Sequence, residues 1–225
     1  MDWQALILTI KLDLVVCAVL VLIGVPLAFW LAFWQWRWKF LVEAVVALPL
    51  VLPPTVLGFY ILLALGPHSP FGTIYERLRG RGLPFTFEGL VVASVIYSLP
   101  FMVQPVLAAF KSVDPKLISA SAVLGASRVR TFLRVVLPLS MSGLLTGLIL
   151  TFAHTLGEFG VVLMVGGNIP GSTRTVSISI YDNVQALDFA SAGQTSLLLL
   201  ATSFVILSLV YGLNRSQPSL WPMKH

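Results

Sequence analysis

His154 and Glu158 stand four residues apart, which on a helix sets an imidazole and a carboxylate on one face, as a metal ion would need. Two ligands without a third, and without an HExxH context, make no metal site, and none is assigned. Gly166 to Thr173 reads GGNIPGST, a near miss to a phosphate-binding loop, with Ser172 where the lysine belongs and no strand before it. Nucleotide binding is rejected there. The nine acidic residues are scattered, and no Ser/His/Asp set or carboxylate pair suggests catalysis. What the segment does offer is donors. Asn168, Ser172, Thr173, Arg174 and Thr175, around Gly171, carry amide, hydroxyl and guanidinium groups that suit a tetrahedral dianion or a protein contact. A plain surface loop is the alternative. Glu158, flanked by Gly157, Phe159 and Gly160, would repel such an anion. Its expected role is structural, accepting hydrogen bonds from backbone donors near an external gate, or it is a solvated interfacial carboxylate.

The elements that must position these groups are membrane helices. Hydrophobic residues make up 57% of the 225 and charged residues only 10%, against about 25% in soluble domains. Mean hydropathy is +0.93. Five windows without Asp, Glu, Lys or Arg, at 14–36, 44–66, 89–110, 135–157 and 189–214, each exceed the roughly 20 residues needed to cross the hydrocarbon layer. Lipid cannot satisfy exposed backbone groups, so the expectation is an all-α bundle of about five spans, and the alternation of a β-barrel is absent. The first span is not a cleaved signal peptide, because Asp2, Lys11 and Asp13 precede a run that is too long. Cys17 is the only cysteine and carries no disulfide argument. Residues 1–225 form a single transmembrane domain.

Pro49, Pro53 and Pro54 in the second span, and Pro100 and Pro105 in the third, each remove a backbone donor. They mark either ordinary kinks or helices that line a moving pathway, with Pro53 and Pro54 as gate candidates beside Gly157–Gly160. Gly143 and Gly147 allow close helix approach in the fourth span, as packing or as a dimer contact. With the N-terminus outside, Arg37, Lys39, Lys111, Lys116, Arg128, Arg130, Arg134, Arg215 and Lys224 face the cytoplasm. Arg77, Arg79, Arg81 and Arg174 then face out. The positive-inside rule favours this orientation and puts residues 111–134 in the cytosol.

Those residues form a polar stretch, KSVDPKLISASAVLGASRVRTFLR, followed by VVLPL. Asp114-Pro115 reads as an N-cap and first helical residue, and Gly125 as the end of a short helix rich in small side chains. On spacing alone this is either a solvated helical hairpin or a surface read by a partner.

The stretch resembles the cytoplasmic signature of bacterial ABC-importer permeases, E-A-A-x3-G-x9-I-x-L-P. The first three positions fall on Ser119, Ala120 and Ser121, the glycine on Gly125, and the ending on Val135, Leu137 and Pro138. Ser119 replaces the family's Glu and Ser121 its second Ala. The pieces LPLVLPP, LGEFG and NIPG-x-TRT, in that order around the loop, are similar to the permease subunits of molybdate transporters, with tungstate and sulfate permeases as close relatives. The resemblance implies a type I ABC-importer permease fold with the N-terminus outside and the C-terminus cytoplasmic, in a bacterial inner membrane. It also implies a homodimer, two cytosolic ABC ATPase subunits that dock on the 119–138 motif, and an extracytoplasmic molybdate-binding protein. The chain would bind no cofactor itself, the ATPase using ATP and Mg, and no nucleic acid. A channel working without an ATPase, or an intramembrane enzyme, are readings from other classes.

Overall fold

The structure, a computed structural model, describes residues 2–215. Its helices are α1 (Trp3–Phe33), α2 (Lys39–Val51), α3 (Pro54–Leu65), α4 (Pro70–Arg79), α5 (Phe87–Ser112) and α6 (Pro115–Val123). After α6 come α7 (Arg128–Thr131), a π-helical turn (Phe132–Val136) and α8 (Leu137–Leu139). The chain continues through α9 (Met141–Leu156), α10 (Gly160–Gly166), α11 (Val176–Gln185) and α12 (Phe189–Arg215). No strand occurs among the described residues. Lys224 lies outside them.

The core is a three-helix packing of α1, α5 and α9. α1 buries Leu8, Leu12, Val16, Leu20, Ala28 and Leu31, mostly at i, i+4 spacing, which makes one stripe along the helix. Lys11 over the Phe87 ring near the start of both helices, and Phe29 and Phe33 against Phe110 near their ends, make α1 and α5 parallel. α9 runs antiparallel to α5, because Ser98 meets Thr155 at one end and Ser140 Oγ donates to Ala109 O at the other. Gly143 and Gly147 make this crossing close. A Cβ on Gly143 would press on Ala109 and come within 2.8 Å of Pro105 O, and one on Gly147 within 3.1 Å of Met102 O. The pair therefore packs α9 on α5 within one chain.

α1 starts eleven residues before the expected window, at Trp3. Asp2 caps it, accepting from Ala5 N at 3.0 Å, and Asp13 is fully buried in the bundle instead of lying outside the span. The second span is not one helix. Proline lacks the N–H and disfavours helical geometry in the residue before it, so Leu52 and Pro53 are extended (ψ 138° and 136°). α2 and α3 consequently meet at 117°. The fourth window is also bent, by 69°, where residues 128–139 pass into α9 at Ser140. Pro138 cannot donate, and the preceding turn widens so that Leu137 N reaches Phe132 O. A smaller core of Ile61, Leu65, Leu83, Ala93, Val161 and Val165 packs α3 and α10 against α5. Trp34, Trp36 and Trp38 lie exposed beyond the end of α1, as interfacial anchors do.

Candidate functional site: an exposed hairpin and two facing helix breaks

Asp114 and Pro115 open α6, with Lys116 N donating to Asp114 Oδ1 at 2.8 Å. No residue of α6 is buried. At its end Val123 and Leu124 are 88% and 86% exposed, an apolar tip that water does not favour and that suits a protein partner. Gly125 adopts φ +76°, the left-handed conformation that glycine takes cheaply, and a Cβ there would meet nothing within 4 Å. Ala126 N donates to Ser121 O at 3.1 Å and closes the turn. Ser119 donates its hydroxyl to Pro115 O at 3.0 Å, which spends it within the helix, and Ala120 beside it is exposed. Ser121 instead reaches across the hairpin to Thr131 Oγ1 at 2.9 Å. This bond ties α6 to α7, the π turn and α8. Val135 and Leu137 are half-buried and Pro138 is exposed on that rod, so the motif's ending is the rod itself. An apolar cavity of 590 Å³ lies between the rod and the end of α1, lined by Trp30, Trp34, Ile118, Arg128 and Phe132 among others.

At the far end of α9 the helix stops at Leu156 and resumes as α10 at Gly160. Gly157, Glu158 and Phe159 form the break. It faces the other broken span: a Cβ on Gly160 would lie 2.7 Å from Pro54 Cβ, and one on Gly58 would lie 2.8 Å from Met164 Cβ. Broken spans leave backbone groups unpaired within membrane depth, which is tolerated where they line a cavity or pack on protein. Phe159 is held against Tyr181, ring centroids 5.0 Å apart. Pro54 and Gly160 thus come together, with Pro53 next to the one and Gly157 and Phe159 leading to the other, although about a hundred residues separate the two groups.

Glu158 departs from both expected roles. It is only 4% exposed, and neither carboxylate oxygen has a hydrogen-bond partner, so it is neither solvated nor held by backbone donors. It also does not share a helix face with His154, because the break intervenes. His154 Nδ1 is 3.0 Å from Ser98 Oγ, and its ring stacks on Phe101. Among the described residues no group of three His, Cys, Asp or Glu could hold a metal.

The donor loop is largely engaged. Arg174 Nε donates to Asn168 Oδ1 at 2.6 Å, and its guanidinium pairs with Asp182 at 3.5 Å and Asp2 at 3.8 Å. Asn168 Nδ2 donates to Asp182 Oδ2 at 2.6 Å. Thr173 is fully buried, donating to Gly166 O at 2.7 Å, and Gly171 (φ +73°) turns the loop. Asn168 and Arg174 therefore form one surface cluster with α11 and the N-cap of α1. Asp13, Ser94, Ser98 and Thr151 are all buried here, although the sequence pattern assigns Asp13 to the lead-in of the first span and marks none of the other three. The signal for Asp13 was its place four residues after Thr9 and four before Cys17, on one face of an apolar run.

Residues 24–217 match the family described as "Binding-protein-dependent transport system inner membrane component". The chain is 48% identical over 219 residues to the "Molybdenum transport system permease protein ModB" of Azotobacter vinelandii, covering 97% of each chain. It is 35% identical over 212 residues to the protein of that name from Escherichia coli (strain K12), covering 93% of this chain and 91% of that one. Among solved structures, it is similar to a bacterial ABC transporter involved in the import of alginate, with TM-score 0.74 and 18% identity over 97% of this chain and 82% of that one. It is also similar to the inward-facing MetNI methionine ABC transporter, with TM-score 0.70 and 19% identity over 96% and 93%. At these identities the structural likeness concerns the fold alone, an importer-permease bundle.

Proposed function

Because the chain belongs to the family of binding-protein-dependent transport system inner membrane components, we propose that it is the membrane-spanning permease subunit of an ATP-driven molybdate importer. The observation that carries this reading is the end-to-end match, 97% of both chains, to a molybdenum permease. Two copies would form the pathway. Two cytosolic ABC ATPase subunits, which use ATP and Mg, would dock on the α6 hairpins, and an extracytoplasmic binding protein would deliver the oxyanion. The N-terminus lies outside in this reading, consistent with the basic residues gathered on the hairpin.

A dianion cannot enter hydrocarbon at tolerable cost, so the route is a polar cavity opened to each side in turn. Closure of the ATPases moves α6 by its exposed face, where Val123 and Leu124 supply apolar contact and Ser119, lacking a carboxylate, supplies none of charge. The Ser121–Thr131 bond passes that motion to α7 and α8, and Ser140 is the hinge at which the rod meets α9. α9 ends at the Gly157–Phe159 break against Pro54, so a displacement at the hairpin reaches the paired breaks through one rigid element. ATP binding shifts the bundle only by its differential affinity for the two states. Asn168, Gly171 and Arg174, with Thr173 holding the turn from inside, form the face offered to the binding protein.

Reconstitution with the cognate ATPase and binding protein tests this. ATP-dependent molybdate uptake is expected, with competition from tungstate and weaker competition from sulfate. Uptake by the permease alone refutes the coupled reading, and preferred uptake of sulfate refutes the cargo.

A further inference from the structure

The 590 Å³ cavity between the rod and the end of α1 has the size of a small-ligand pocket, which is about 300–1,000 Å³. Its α1 side is aromatic. The Phe29 ring centroid lies 4.9 Å from those of both Phe33 and Phe132, and Trp30 and Trp34 also face the space. Ile118 and Ala122 line it from the hairpin. Only two polar side chains reach the wall, Thr131 and Arg128. Thr131 is bonded to Ser121 at 2.9 Å, whereas no ion pair reaches Arg128 among the described residues.

The cavity stands at the edge of the bilayer. α1 has 31 residues, about 46 Å at 1.5 Å per residue, and so overruns the roughly 30 Å of hydrocarbon. The exposed Trp34, Trp36 and Trp38 mark the headgroup level at this end. The surroundings are also one-signed. Residues 14–42 and 115–157 contain no Asp or Glu, but they carry Arg37, Lys39, Lys116, Arg128, Arg130 and Arg134. Of the acids that flank these stretches, Glu43 pairs with Lys111 at 3.1 Å and Asp114 caps α6. An occupant of the cavity therefore needs an apolar body and an anionic head.

We propose that the cavity is a binding site for one anionic phospholipid, with an acyl chain among the aromatic rings and the phosphate on the Arg128 guanidinium. A guanidinium presents two parallel donors to a phosphate, and basic pockets between membrane helices hold anionic headgroups in this way. Water in so apolar a space would lack hydrogen-bond partners. An acyl chain enters it from the bilayer without leaving hydrocarbon, so the chain fills the cavity and the headgroup sets the selectivity. Seated there, the lipid packs between α1 and the rod that carries the hairpin. The site needs this fold and a bilayer only, so it stands whether or not the molybdate reading does.

The test counts lipids on the full-length permease, alone and with its ATPase, by native mass spectrometry after extraction from vesicles of equal parts phosphatidylglycerol and phosphatidylcholine. One phosphatidylglycerol per permease chain is expected to persist, preferred by about fivefold or more, as one basic residue at a membrane surface provides. Arg128→Gln should abolish the preference, and Ala122→Phe, which fills the cavity, should remove the lipid whatever its headgroup. Arg130→Gln takes one charge from the same turn but does not line the cavity, and should change neither. The wild-type preference stands as a test even if a variant does not fold. Equal retention of the two lipids, or equal effects of Arg128→Gln and Arg130→Gln, would overturn the proposal in favour of diffuse charge. Displacement by millimolar inorganic phosphate would overturn the seated chain, and release of the lipid on ATPase binding would give the cavity to that partner instead.

Discussion

Gly125 and Gly80 make a matched pair on opposite sides of the bundle, and substituting both with Asp isolates what a partner reads. Gly125 has φ +76° and Gly80 φ +68°, and a Cβ on either meets nothing within 4 Å. Asp at each position therefore pays the same backbone cost, about 1 kcal/mol for a non-glycine residue in the left-handed region, and no steric cost. Thermal unfolding of Gly125→Asp and Gly80→Asp in detergent should show equal, small losses. The ATPase distinguishes them. If the α6 tip sits in a cleft of that subunit, the new carboxylate is buried without a partner, a penalty of roughly 3 kcal/mol or about 100-fold in Kd. Affinity for the purified ATPase, and its retention through purification, should collapse for Gly125→Asp and stay at the wild-type level for Gly80→Asp. Wild-type retention by Gly125→Asp would refute docking at the tip. Equal loss in both variants would assign the effect to the permease fold.

Gly160→Val should wedge the two helix breaks apart, because its Cβ starts 2.7 Å from Pro54 Cβ; coupled uptake should fall with ATPase retention unchanged. Gly143→Val presses on Ala109 and Pro105 O in the α5–α9 crossing and should cost on the order of 1–3 kcal/mol, seen as a lower melting temperature of the isolated chain. Arg174→Ala removes ion pairs whose side chains are about a quarter to a third exposed, so stability should drop by less than about 1 kcal/mol and less still in high salt. The apparent affinity for the loaded binding protein should fall severalfold in that variant. Unchanged affinity removes this loop from the contact.

Much of the hairpin was legible from local chemistry. Asp114, Pro115 and Gly125 act on their own backbone neighbourhood, and each does in the structure what its type suggests. The bend at Pro53–Pro54 was legible as a bend, since a missing donor is a local fact. Its angle was not, because that depends on how α3 packs against α10, a partner a hundred residues further along. Asp13 was read as part of a polar lead-in, since a charge beside an apolar run marks a boundary when only the run is considered. Three helices close around it and make it interior. Glu158 was read as solvated or backbone-bound for the same reason.

The sequence alone determined that the chain is helical, crosses a bilayer and carries a polar hairpin with a capped helix and a glycine turn. Those outcomes follow from transfer free energy and backbone geometry, which act residue by residue. Only the tertiary structure decided that the breaks at Pro53–Pro54 and Gly157–Phe159 face each other, that Ser121 bonds Thr131, and that Asp13 and Glu158 are buried. Each of these depends on the rotation of helices about their own axes and on which faces come together. A pattern along one strand of sequence specifies an apolar face but not the residue that packs against it.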